Sequence, residues 1–183
     1  MKEIITPVNT DIICSLKMGE IVYITGIIYT ARDAAHKRLY ELICKNKKLP
    51  LNLQDQIIYY TGPTPVNKKT GYMSAGPTTS SRMDFYTPCL LKKTGIKVII
   101  GKGNRSKEVI RSLISNKAVY FATYGGLGAL LGKCIKKSGI VCYKDLGPEA
   151  IYKFEVEKFP CIVAIDVKGN NIYEKGPQKY INC

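Results

Sequence analysis

Two segments in the second half of the chain share one order of parts: an apolar run rich in β-branched and aromatic residues, a glycine loop, and an amphipathic stretch. Residues 96–116 read "IKVIIGKGNRSKEVIRSLISN" and residues 117–139 read "KAVYFATYGGLGALLGKCIKKSG". Short apolar runs bounded by glycine signal buried strands, whereas apolar residues spaced three and four apart signal a helix. Each segment therefore predicts strand, loop and helix in turn, with β-rich stretches on both sides. Upstream, "MGEIVYITGIIYT" predicts strands about a central glycine, and "TARDAAHKRLYELICKN" predicts a helix. Thr30 and Asp33 stand at capping-box spacing, which puts that helix's N-terminus at "TARD". "QIIYYTGPTPVNK" predicts a strand running into a Pro/Gly loop, and "GYMSAGPTTSSRMDFYTPCLLKKTG" an irregular stretch that turns helical near Ser80. Downstream, "IVCYKDLG", "IYKFEVEKFPCIVAIDVKGN" and "NIYEKGP" predict shorter strands with turns between them. The expected fold class is α/β with a mixed sheet, in one domain over residues 1–183.

A chain of 183 residues with 45% hydrophobic and 23% charged side chains can bury a sizeable core. The N-terminal "MKEIITPVNTDIICSL" has no long apolar run, and the longest ones elsewhere are strand-sized, so neither a signal peptide nor a membrane span is expected. Seven cysteines, at 14, 44, 89, 134, 142, 161 and 183, are scattered without a C-x-x-C pair. They predict reduced thiols in a cytoplasmic protein rather than a disulfide framework or a metal centre. The net charge of +14, from 28 basic against 14 acidic residues, points to an anionic partner: nucleic acid, an anionic substrate or an acidic subunit. No nucleic-acid-binding module is visible, which leaves a solvated basic surface as the plain reading.

Three stretches place cations where chemistry could use them. In "YTARDAAHKRL", Arg32 and the single histidine, His36, fall one turn apart, on or beside the face that a helix buries. A part-buried arginine needs an anion, and a helix N-terminus offers donors to the same anion. Arg32 paired to an internal carboxylate, His36 as a satisfied core histidine and Asp33 as a cap are the structural alternatives. In "GPTTSSRMD", Gly76-Pro77 sets Thr78 and Thr79 in a turn, with Arg82 soon after; here the alternative is hydroxyls that only cap a helix and an Asp84–Arg82 pair. In "IIGKGNR", Lys102 stands between two glycines just after a strand, where backbone and ammonium can both approach a ligand. The glycines of "YFATYGGLGALLG" have the wrong spacing for a dinucleotide fingerprint. Arg32, Arg82 and Lys102 together suit a small substrate with more than one carboxylate, yet without a metal motif or a second catalytic group they form half a site.

"IYTARDAAHKRL", "GPTTSSRMD", "GKGN" and "DLGPEAIYKFEVEKFP", in that order, resemble the beta subunit, or C-terminal domain, of the iron-sulfur class I fumarate hydratases and L(+)-tartrate dehydratases. The resemblance implies a swivelling β/β/α three-layer domain and a hydro-lyase interconverting fumarate and L-malate, or, in the sister enzyme, converting L-tartrate to oxaloacetate. It implies a [4Fe–4S] cluster held by cysteines of an alpha subunit, an active site at the junction of the two parts, and beta–beta pairing in an α2β2 assembly. By motif it makes Arg32, Arg82 and Lys102 the binders of substrate carboxylate, Thr78 the base for the C3 proton, and His36 a further active-site residue. Side-chain chemistry leaves His36 a rival to Thr78, because an imidazole titrates near neutral pH and a threonine hydroxyl does not. A basic anion- or nucleic-acid-binding module is the non-enzymatic alternative.

Overall fold

In the computed structural model, residues 2–69 and 71–181 are described, the side chains of 179–181 excepted. The chain order is β1 (Lys2–Ile5), α1 (Thr10–Ser15), β2 (Ile21–Thr30), α2 (Asp33–Cys44), β3 (Ile57–Tyr59), a 3-10 turn (Ser80–Met83), α3 (Thr87–Thr94), β4 (Val98–Gly101), α4 (Lys107–Ser115), β5 (Val119–Ala122), α5 (Gly128–Lys133), β6 (Ile135–Cys142), a kinked 3-10 segment (Lys144–Glu149), β7 (Ile151–Ile165) and α6 (Ile172–Ile181). The two strand-loop-helix units of the sequence are β4–α4 and β5–α5.

All seven strands form one mixed sheet, in the order β1-β2-β3-β4-β5-β7-β6 with an additional β2–β7 pairing. Strands β2, β3, β4 and β5 run parallel to their neighbours, while β7 runs antiparallel to β2, β5 and β6. Because β7 bonds both β2 and β5, the path β2-β3-β4-β5-β7 returns to β2 and the sheet closes on itself. Alternation along the strands then makes two apolar layers. Ile57, Tyr59, Val98, Ile100, Val119, Phe121, Phe154 and Phe159 fill the inner one. Ile58, Tyr60, Ile99 and Tyr120 face the other way, onto Leu39, Leu90, Leu91, Val109 and Leu113 of α2, α3 and α4. Among the described residues no helix is long and apolar enough to cross a membrane.

Three local expectations are corrected. The strands about the central glycine of "YITGIIY" are one strand, β2, whose register against β7 shifts between Ile24 and Gly26. There Gly26 has a φ of 119°, and any Cβ would run into Thr6 Oγ1. The second helical stretch ends at Lys133, and its tail "CIKKSG" turns into β6, since Ile135, Lys137 and Ser138 pair with β7. The segment "IYKFEVEKFPCIVAI" is a strand as expected, continuous over 15 residues. Within it, the Pro160 carbonyl oxygen accepts from Thr123 Oγ1 at 2.8 Å. "NIYEKGP" is the first half of helix α6, started by Asn171, whose Oδ1 accepts from the Tyr173 amide at 3.1 Å.

At the end of β4, Gly101 lets the 3-10 turn sit directly on the strand, because a Cβ there would overlap Ser80 Oγ and come within 3.3 Å of the Tyr120 hydroxyl. Gly101→Ala is expected to cost about 1–3 kcal/mol by overpacking and to lower the melting temperature by several degrees. At Gly125 an added Cβ would only touch Lys102 Cδ at 3.5 Å. Gly125→Ala should therefore change stability by less than about 0.5 kcal/mol. Thermal denaturation of the two variants side by side checks both numbers.

Candidate active site

Parallel strands end on a common edge, and in α/β folds, whether the sheet is open or closed, ligands gather at the carboxyl ends of the strands. Here β2 runs out into Ala31 and Arg32, β3 into Tyr60, Thr61 and Gly62, β4 into Lys102 and Gly103, and β5 into Thr123, Tyr124 and Gly125. The segment 74–84 crosses this edge and is bonded to the start of α5 and to the ends of β3 and β4. The Ala75 amide donates to the Gly128 carbonyl at 3.0 Å, Thr61 Oγ1 to the Gly76 carbonyl at 2.7 Å, and the Thr78 amide to the Tyr60 carbonyl at 2.7 Å. Thr79 forms a parallel bridge with Lys102, and the Ser80 amide donates to the Lys102 carbonyl at 3.0 Å. Thr78 is thus fixed between the ends of β3 and β4, beside Lys102.

The arginines arrive from the other side. Arg32 is the N-cap residue of α2, and Asp33 begins the helix. Asp33 Oδ2 lies 3.1 Å from Arg82 Nη2 and 3.6 Å from Arg32 Nε, so one carboxylate oxygen joins the two guanidinium groups. Glu149, from the 3-10 segment before β7, places Oε1 3.4 Å from Arg32 Nη2 and accepts the Ala34 amide on Oε2 at 2.9 Å. An acidic side chain at a helix N-terminus is favoured by the free amides and the helix dipole. The cluster is open: the Arg82 side chain is 47% exposed and that of Asp33 38%. Among the described residues no carboxylate lies within ion-pair distance of Lys102, while Arg82 and Arg105 each have one and Arg32 has two.

The structure therefore brings Arg32 to Arg82 through Asp33, and sets Thr78 beside Lys102 through the backbone pairing of its neighbour Thr79. The Ser80–Met83 turn links the two pairs. Arg32 does meet internal carboxylates, one of the alternatives left open by spacing. The capping box does not form: Thr30 is buried in β2, where its Oγ1 accepts the Tyr152 amide at 3.0 Å, and the carboxylate on the α2 amides is Glu149. Asp84 does not pair with Arg82. Its Oδ1 accepts Arg105 Nε at 2.7 Å and its Oδ2 the Ser106 amide at 2.7 Å. Sequence reasoning passed over Arg105 and Glu149, though each stands in a quoted motif or directly after one: Arg105 follows "GKGN", and Glu149 is the acid of "DLGPEA".

His36 is 1% exposed and packs edge-on against Tyr60, ring centroids 4.9 Å apart. Its Nδ1 lies 2.9 Å from the Arg32 carbonyl oxygen, the geometry of a neutral imidazole donating from Nδ1. The ring is part of the floor beneath Arg32 rather than of the open edge.

The family model described as Fumarase C-terminus matches residues 3–176. A Methanocaldococcus jannaschii chain provisionally named L(+)-tartrate dehydratase subunit beta is 44% identical over 169 residues, 90% of this chain and 87% of that one. The anaerobic fumarate hydratase class I of Escherichia coli is 41% identical over 164 residues, 87% of this chain but 30% of the relative. Fumarate hydratase 1, mitochondrial, of Leishmania major is 38% identical over 153 residues, 83% of this chain and 28% of the relative. The chain thus spans most of a subunit in one case and under a third of a longer chain in the others.

Burial pulls the His36 pKa down from 6.5 to about 4, with the Arg105 charge acting in the same direction and the Arg32 carbonyl and Asp33 opposing it. The unfolded chain binds the proton first, so the stabilisation is complete above pH 6.5 and is lost as pH falls toward 4, by about 3 kcal/mol in all. Equilibrium unfolding between pH 7 and 4.5 should show a His36-dependent slope approaching about 1.4 kcal/mol per pH unit. His36→Asn, which keeps a donor near Nδ1 but does not titrate, should lose that slope.

Proposed function

The chain belongs to the Fumarase C-terminus family, and from that premise we propose that it is the beta part of a two-part hydro-lyase that reversibly hydrates fumarate to L-malate. The observation that carries the reading is the convergence of Arg32 and Arg82 on one carboxylate oxygen, with Thr78 and Lys102 fixed alongside. Two guanidinium groups that already share a carboxylate can share a substrate carboxylate, and Lys102 answers the second. A four-carbon dianion matches that set in charge. L(+)-tartrate is a dianion of the same length, and the similarity to a chain named for its dehydratase supports dehydration of L-tartrate to oxaloacetate as the second reading. The two apolar layers, strands across strands and helices outside them, support the swivelling β/β/α three-layer description.

This chain's own chemistry is binding and proton transfer. When a proton leaves the carbon beside a carboxylate, negative charge spreads onto the carboxylate oxygens, and cations already in place stabilise that charge without further reorganisation. Thr78 takes the C3 proton. A threonine hydroxyl does so only as its alkoxide, and a cationic neighbourhood favours that form. His36, buried and held neutral at pH 7, orients the Arg32 backbone and α2 from below. The family implies a [4Fe–4S] cluster, and the donor set here does not fit one. Among the described residues no three His, Cys, Asp or Glu side chains gather as a metal site. Cys14 and Cys44 are exposed, Cys161 is buried in the inner layer, and Cys183 lies outside the described residues. The family resemblance supports a cluster carried by the alpha partner, an α2β2 arrangement with beta–beta pairing, and a cytoplasmic location.

Co-expression with a cysteine-bearing alpha subunit, followed by anaerobic assay, should give fumarate hydration; a reconstituted pair that turns over neither malate nor L-tartrate refutes the reading. In the active pair, Arg82→Ala and Lys102→Ala should raise KM and lower kcat together, reducing kcat/KM by about 100- to 1000-fold. Thr78→Ala should lower kcat by about 100-fold or more with KM little changed. If His36→Asn instead abolishes proton exchange at C3 while Thr78→Ala leaves it intact, the two roles are exchanged.

A further inference from the structure

Arg105 is the most deeply buried cation among the described residues, with a side chain that is 0% exposed. Its guanidinium lies 5.4 Å from the centroid of the Tyr60 ring and 5.0 Å from that of Tyr120, flanked by both. Nε donates to Asp84 Oδ1 at 2.7 Å and Nη2 to Thr87 Oγ1 at 2.9 Å. Nη1 is buried without a partner. Burying a cation carries a desolvation penalty that a hydrophobic side chain of the same size would not, so packing does not explain an arginine here.

What the guanidinium grips is informative. Asp84 directly follows the Ser80–Met83 turn, and Thr87 bonds back to the Met83 carbonyl at 2.8 Å. Arg105 therefore fastens the C-terminal end of the turn that carries Arg82. The N-terminal end of the same turn is fastened by Lys102: its carbonyl accepts the Ser80 amide at 3.0 Å and its amide donates to Ser80 Oγ at 3.1 Å. The Tyr120 hydroxyl completes this end, 3.0 Å from both Ser80 Oγ and the Gly103 carbonyl oxygen. Lys102 and Arg105 stand three residues apart in one loop, so both ends of the Arg82 turn are clamped to the loop that carries Lys102.

We propose that Arg105 is a positioning residue that sets the separation between Arg82 and Lys102, and through it the preference of the site for two carboxylates over one. The proposal rests on the dicarboxylate reading above. A lysine at 105 can reach Asp84, but a point charge cannot also hold Thr87 and cover both rings.

The test compares succinate with propionate as ligands of the assembled alpha–beta enzyme, by calorimetry or by competition against substrate. Arg105→Lys, folded and assembled as the wild type is, should bind succinate about 10- to 100-fold more weakly, while propionate affinity changes by less than about threefold. Asp84→Asn, which keeps an acceptor oxygen but weakens the ion pair, should shift selectivity the same way and serves if the lysine variant does not fold. Equal weakening of both ligands, unchanged binding of both, or failure of both variants to fold assigns Arg105 to stability alone and overturns the proposal. Wild-type enzyme that does not prefer succinate to propionate refutes the dicarboxylate reading itself, a result separable from the behaviour of the variants.

Discussion

The pairing on which the rest of the structure depends is that of β7 with β2. Residues 21–29 bond to residues 162–153, and the far half of β7 also bonds β5. Without that strand, β2 to β5 would be an open parallel sheet with an apolar face and two unpaired edges, which is not a stable object in water. With it, the large residues of alternate positions are enclosed, and the other face of the sheet is left for three helices to cover. The closure also fixes where the loops go. Four parallel strands locked side by side deliver their C-terminal ends to one edge, and Arg32 and Lys102 stand on those ends.

Electrostatics at that edge follows a second pattern, internal carboxylates set against cations. Asp33 and Glu149 neutralise Arg32 and Arg82, Asp84 neutralises Arg105, and Lys102 is left over. The exposed pairs are wet and screened, so each is worth little to stability. Their effect is geometric: side chains with four or five rotatable bonds are held in one arrangement before any ligand arrives, which lowers the entropy lost on binding. The buried Asp84–Arg105 pair differs in kind, because removing either partner would strand the other charge away from water.

The sequence carried the strand-loop-helix units, helix α2 and the separate candidate residues, because each depends on local signals. Ile99 and Val109 lie where apolar periodicity puts them, and Gly101 and Gly103 bracket Lys102 as a loop should. What periodicity could not carry is the partner choice of long-range groups. Whether Asp84 takes Arg82 or Arg105 depends on how the 3-10 turn settles on β4, and Arg105 stands 21 positions away. Glu149 on the α2 amides is the same kind of fact, an acid 115 positions from the donor it satisfies. The misread strand at "NIYEKGP" has another cause: Ile and Tyr beside Gly and Pro are strand-end signals by composition, and the Asn171 side chain that starts a helix there outweighs them.

The position of β7 near the end of the chain also bears on how the molecule comes into being. Its contacts with β2 join residues near the two ends of the chain, and contacts of long sequence separation are slow to form because loop entropy is lost before they are made. During synthesis, β2 through β5 leave the ribosome before β7, with helices to cover one face, little beyond β1, α1 and residues 73–75 against the other, and nothing to pair the edges. Until residues 151–165 emerge, the nascent chain presents an incompletely covered apolar sheet face, the kind of surface that chaperones hold and that aggregation exploits. The strand that completes the fold is thus also the one whose delay leaves the chain most vulnerable.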